Sequence, residues 1–187
     1  MSRNRLARFD DIEYYAENLH VQVICLCDFW RLGLSQDLRP LADPGSENFH
    51  VELYPFYLLN RAVSRYNVQI EAVLRPIGVD IPSWRVLMIL AQKEPQAITQ
   101  VGRSAVINLS TMMRIVERMQ KNDLIVARTS PEDGRVTELL LTETGREKVA
   151  LSRKATAPTY RRLIEGFSAE DFSRLLDLLN RLYDNLD

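Results

Sequence analysis

SAVINLSTMMRIVERMQKNDLIVARTSPEDGRVTELLLTETG, residues 104–145, is the stretch from which the rest of this chain can be read. Between Asn108 and Asn122 the apolar residues Met112, Ile115, Val116 and Met119 recur at three- and four-residue spacing, which puts them on one side of a helix. The other side carries Ser110, Thr111, Arg114, Arg118 and Lys121, with Ser110, Arg114 and Arg118 about one turn apart in a row and Met113 near the edge. Hydroxyls at a helix start with guanidiniums behind them suit a helix that offers its N-terminal end to a nucleic-acid groove. Downstream, residues 125–129 and 135–141 are β-prone, and the Ser-Pro-Glu-Asp-Gly between them supplies turn formers, so a hairpin is predicted with Arg135 just past its tip. Leu141 then leads from a strand straight into a helix, with Thr142 as N-cap and Glu143 and Glu147 in the opening turns, where carboxylates face the positive end of the helix dipole.

Helix, hairpin, helix is the winged-helix arrangement, and it predicts a mainly α fold with a small β-hairpin wing. A chain of 187 residues can hold one such domain with extensions. With 46% hydrophobic and 26% charged residues it has the make-up of an ordinary globular protein, neither disordered nor membrane-spanning. The net charge of −1 says little about nucleic acid, because binding depends on where the basic residues sit. From Arg103 to Arg135 six of them (Arg103, Arg114, Arg118, Lys121, Arg128, Arg135) face four acids (Glu117, Asp123, Glu132, Asp133). That excess is modest and favours a dimer that joins two such surfaces. Two cysteines, Cys25 and Cys27, argue against a disulfide-built secreted domain, and the apolar run at residues 21–27 is too short to cross a bilayer, so a cytoplasmic location is expected.

Outward from the central stretch, the chain divides into an N-terminal helical extension and loop (1–50), a dimerisation helix (51–78), the winged helix-turn-helix (79–145) and C-terminal dimerisation helices (146–187). In the extension, Ile12, Tyr15, Leu19, Val23, Leu26 and Trp30 form a stripe at helical spacing. Residues 33–50, with Gly33, Pro40, Pro44 and Gly45, read as a connecting loop. Periodicity returns at Phe56, Leu59, Val63, Tyr66, Ile70 and Val73, and Pro76 and Gly78 end it. Asp80 is the expected N-cap of the next helix, with Pro82 in its first turn and Trp84, Leu87, Met88 and Leu90 on its buried side. Residues 98–104 should form the first helix of the helix-turn-helix, although Gly102 weakens it. Ser168 with Asp171 predicts a capping box opening a last helix whose apolar face holds Phe172, Leu175, Leu176, Leu179, Leu182, Tyr183 and Leu186.

The run Ser110-Thr111-x-x-Arg114-x-x-x-Arg118, then Asp123-Leu124-Ile125, Asp133-Gly134-Arg135 and Leu141-Thr142-x-x-Gly145, resembles the MarR family of bacterial transcription regulators over residues 51–187. Val106 departs from the pattern, standing where the family commonly has the turn glycine, and the first 50 residues lie outside it. The resemblance implies a homodimer held by both ends of the chain, on a pseudo-palindromic double-stranded DNA operator with half-sites about one helical turn apart. On that reading Ser110, Thr111, Met113, Arg114, Arg118 and Lys121 meet the DNA from the helix, and Arg135, steadied by Asp133, meets it from the wing. It also implies repression relieved by a small aromatic or phenolic acid, for which Tyr66, Trp84 and Arg85 offer two aromatics and a cation. Some family members sense peroxide through an N-terminal cysteine, so Cys25 and Cys27 leave a redox-sensing regulator as an alternative; a winged-helix module that binds protein is another. Two histidines far apart, His20 and His50, give no metal-ligand spacing, no cofactor is implied, and neither a phosphate-binding glycine loop nor a nucleophile motif points to an enzyme.

Overall fold

The computed structural model describes residues 37–186, so the helical stripe expected at residues 12–32, His20, Cys25 and Cys27 lie outside the described residues. These residues fall into two compact units that meet in sequence between Leu58 and Leu59.

The first unit is short. Within the expected connecting loop the chain makes a four-residue helix, α1 (Arg39–Ala42), opened by Pro40, and just after the loop a 3-10 turn at Val51–Leu53, where the next helix is expected to start. The His50 amide donates to Leu41 O at 2.8 Å, and Phe49 packs edge-on to Tyr54. The periodic helix expected from Val51 begins as an α-helix only at Pro55, whose missing N–H costs nothing at a first helical position. This is α2 (Pro55–Leu74), which continues into the second unit and ends in a 3-10 turn closed by Gly78 in the left-handed conformation.

In the second unit α3 (Ile81–Leu90), α4 (Ile98–Ala105) and α5 (Leu109–Lys121) surround one core with the hairpin. Asp80 caps α3 as expected, its carboxylate accepting from the Ser83 amide. The buried side chains include Leu87, Leu90, Val101, Met112, Met119 and Leu139, all at 1% exposure or less. The hairpin strands are β2 (Ile125–Thr129) and β3 (Thr137–Leu141), antiparallel with Ile125 opposite Leu141 and Arg128 opposite Glu138. A two-residue strand the sequence pattern did not announce, β1 (Gln96–Ala97), pairs with β3 on its other side, giving the order β1-β3-β2. It ties the start of α4 to the root of the wing. Gln96 is buried, and its amide donates to the carbonyls of Ile89, in the last turn of α3, and Lys93, just beyond it.

Gly102, a weak residue by helix propensity, has a reason to be there. A Cβ on it would sit 3.2 Å from the Ile107 carbonyl and 3.6 Å from Met112 Cγ, so the glycine lets α5 close on α4. Gly145 is under the same constraint more severely, because a Cβ there would overlap the Leu124 carbonyl. Thr142 opens α6 (Glu143–Leu163), its hydroxyl accepting from the Gly145 amide and donating to Asp123 O. The Leu-Thr-x-x-Gly sequence is thus one joint in which the strand after α5 and the first turn of α6 are pressed together. A second joint lies nearby: Glu94 accepts from the Leu141 amide at 2.6 Å and pairs with Arg146, whose other nitrogen donates to Leu141 O. Pro158 lies inside α6, and α7 (Ala169–Asp184) opens on the expected Ser168–Asp171 capping box. No helix among the described residues is long and apolar enough to cross a membrane.

Candidate nucleic-acid interface

The apolar side of α5 is spent inside the domain: Met112 and Met119 are fully buried, and Ile115 and Val116 are 4% exposed. This leaves Ser110, Thr111, Met113, Arg114, Arg118 and Lys121 all exposed on the outside. Asn108 caps the helix, its Oδ1 accepting from the Thr111 amide and the Ser110 hydroxyl, both at 2.9 Å. Ser110 therefore already donates its proton within the cap; to donate to a phosphate it must give that bond up, while its oxygen remains able to accept from a base amino group.

The two arginines of the row differ. Arg114 has no ion pair among the described residues. Arg118 is held by Asp80 at 2.5 Å and donates to Ser83 Oγ at 3.3 Å, with its side chain 49% exposed. One guanidinium thus ties α5 to the first turn of α3. The half-exposed pair is worth well under about 1 kcal/mol by itself, so its effect is to orient the side chain rather than to hold the fold.

The helix-turn-helix turn resolves the question raised by Val106. It takes the left-handed conformation a glycine would take, φ 57° and ψ 47°, with its amide donating to Arg103 O and Gly102 O. For a β-branched residue this costs about 1–2 kcal/mol, which the buried contacts of α4 and α5 on either side override.

At the wing, the expected strand start at Arg135 moves to Thr137, because the Ser130 amide to Val136 O and the Val136 amide to Asp133 O bonds close a tight loop over residues 130–136. Arg135 stands at the tip, 91% exposed. Asp133 accepts from the Arg135 backbone amide at 3.0 Å and from its guanidinium at 3.1 and 3.2 Å. The Arg135 side chain, followed by its amide, holds the Asp133 carboxyl below the usual carboxylate range. Below the tip, Glu138 accepts from Ser130 Oγ and pairs with Arg128 at 3.2 Å. Sequence reasoning did not find this fastening; the signal available was the opposite charges of Arg128 and Glu138 directly across the hairpin.

Of the residues expected to bind a small acid, Tyr66 and Trp84 are half-buried against the core. Burial raises the Tyr66 hydroxyl above its usual value, while the positive charge of Arg85 opposes the shift. Trp84 Nε1 is buried with no hydrogen-bond partner, as are Asn67 Oδ1 and Ser152 Oγ. None of the three expected residues lines the cleft of about 380 Å³ between Val68, Gln69, Ala72 and Val73 of α2 and Pro158, Thr159 and Arg162 of α6. His50 lies 3.7 Å from Glu52, and no cluster of His, Cys, Asp or Glu that could hold a metal occurs among the described residues.

The family model for MarR matches residues 79–137, the segment from the cap of α3 to the start of β3. Over 145 residues the chain is 36% identical to the HTH-type transcriptional repressor IacR of Pseudomonas putida, covering 78% of this chain and 87% of IacR. This chain belongs to the MarR family. Its fold matches the crystal structure of a MarR-family transcriptional regulator from Silicibacter pomeroyi, with a TM-score of 0.67 at 24% identity over 81% of this chain and 97% of that one. It also matches the repressor CouR bound to a 23-mer DNA duplex, at a TM-score of 0.65 and 23% identity, covering 71% and 94%. The MarR-family chain described here is a DNA-binding transcription regulator rather than an enzyme, with α4 and α5 as its helix-turn-helix and the hairpin as its wing.

Proposed function

We propose that this protein is a homodimeric repressor that seats α5 in the major groove of each half of a pseudo-palindromic operator, lays the wing in the adjacent minor groove, and releases the DNA when a small aromatic or phenolic acid binds. The observation that carries the DNA part is Arg135, fully displayed at the tip of a hairpin whose shape Asp133 fixes, beside a helix whose outer face ends in unpaired Arg114. Preset cations of this kind suit a narrow groove with concentrated negative potential. Arg114, Thr111 and Lys121 contact the backbone or base edges; Arg118 positions α5 through Asp80.

Two copies are supported by α7, which has no buried residue and exposes Leu175, Leu176, Leu178 and Tyr183, with Leu186 exposed just past its end. An apolar face of that extent is unstable in water unless something covers it, and a second copy of the same face is the simplest cover. Repression accords with the 36% identity to a repressor. The effector reading is supported by the positive charge of Arg85 acting on the half-buried Tyr66 hydroxyl and by the orphaned Trp84 Nε1, a buried donor that a carboxylate or phenolic oxygen would satisfy. Such a ligand releases DNA only if it prefers a state with the recognition helices wrongly spaced.

One experiment tests the core of this. Duplexes are selected from a randomised library, and the best is titrated with protein over a series of salt concentrations. A dimer per duplex and a steep linear fall of log affinity with log salt are expected, since neutralised phosphates release counterions. A flat salt response, or one chain per duplex, refutes the proposal.

A further inference from the structure

α5 is an amphipathic helix with one apolar feature its core does not use. Leu109 is 53% exposed and Met113 47%, and Val106, in the turn just before the helix, is 88% exposed. Leu109 and Met113 are four residues apart, so they follow each other along one edge of the outer face, next to Ser110 and Arg114. The other apolar residues of α5 are all at 4% exposure or less, so the exposed pair is not a shortage of core space. Val106 adds to this: a glycine would hold the same left-handed turn at lower cost, yet a branched apolar side chain stands there in the open.

The geometry points to a purpose in the groove: Leu109, Met113 and Val106 form an apolar edge that reads the C5-methyl groups of thymine in each operator half-site. The assignment rests on α5 being the helix that enters the major groove. The patch is continuous with that interface, at the N-terminal end of the helix that contacts base edges. Among the base edges of the major groove, thymine alone of the four bases offers an apolar group, and contact with aliphatic side chains is its recognised mode of readout. Hydroxyls and Arg114 beside the patch engage polar edges and phosphates; the apolar edge discriminates thymine from cytosine, which lacks the methyl.

The test uses the full-length protein and a duplex selected from a randomised library. Each thymine is replaced in turn by deoxyuracil, which removes the methyl and leaves base pairing unchanged, and affinity is measured by fluorescence anisotropy. A loss of about fourfold per contacted methyl is expected, which corresponds to ~0.8 kcal/mol for one buried carbon, at symmetry-related positions of the two half-sites. In Leu109→Ala and Met113→Ala proteins, both surface changes with helicity checked by circular dichroism, the thymine and uracil duplexes are expected to bind alike. A uracil scan flat at every position while tight, salt-dependent binding persists overturns the methyl reading alone. A scan whose losses survive both substitutions does the same, because the preference then comes from the shape of the DNA. Failure to select any duplex overturns the assignment of α5 as the reading helix and the methyl reading with it.

Discussion

Helices α5 and α7 are both amphipathic, yet their apolar faces have different surroundings. Four apolar residues of α5 are closed off within a single chain, and its outer side carries exposed hydroxyls and cations. α7 repeats leucines at equally regular spacing, but buries none of them. The difference teaches that periodicity marks which side of a helix avoids water and leaves open whose atoms will cover it. The helix-turn-helix closes its core within one polypeptide; the C-terminal helix leaves its apolar side in the open.

That contrast can be broken at its strongest point first. Met112→Ala, at a fully buried position, is expected to lower unfolding free energy by about 2–5 kcal/mol, and urea titrations at two protein concentrations should give the same loss. Leu175→Glu combined with Leu178→Glu should act in the opposite manner. Sedimentation is expected to show a single chain, with operator affinity down at least tenfold, or about 1.4 kcal/mol, and the far-ultraviolet spectrum preserved; a variant that still sediments as a dimer removes α7 from the interface.

Within the finished half, the two arginines that the structure pairs can be set against each other. Arg135→Ala is expected to weaken operator binding at least tenfold with thermal stability unchanged, since its guanidinium is 91% exposed and bonds among the described residues to Asp133 at the wing tip. Asp80→Ala should instead cost about 1 kcal/mol of stability through loss of the α3 cap, and affinity should fall less than for Arg135→Ala, because Arg118 loses its tether but keeps its charge. The smallest effect is a titration. Asp133 has a depressed carboxyl, so the order it lends the wing is present above the ordinary carboxylate value and fades as pH falls through the lower folded value. In the Arg135→Ala protein the Asp133 resonance should titrate closer to the ordinary value; no movement would mean that the pair does not form in solution.

Much of the reading lobe could be seen in the amino-acid order because its determinants are local. Asp80, Thr142 and Ser168 each cap the helix that follows within three residues, and Met112 to Met119 set the buried side of α5 by spacing alone. What escaped notice depends on residues far apart in the chain. Asp80 was legible as a cap, but its bond to Arg118 exists only once α5 crosses the start of α3. β1 is two residues long, too short for any alternation to show, and exists because β3 has a free edge there. Gly102 looked like a defect from propensity and proved to be clearance for a neighbouring carbonyl. On α5 the residue types predict the polar, basic outer face that the fold displays, while the pairing that separates Arg114 from Arg118 required the fold.

Glu94 gives the molecule a mechanical property. One carboxylate holds the last amide of the wing strand and, with its second oxygen, the guanidinium one turn into α6. The long helix therefore cannot swing about its origin without pulling on the root of the hairpin. Together with the Thr142 cap, this carboxylate rivets the corner at two places, so the root of the hairpin and the opening turn of α6 form one braced piece.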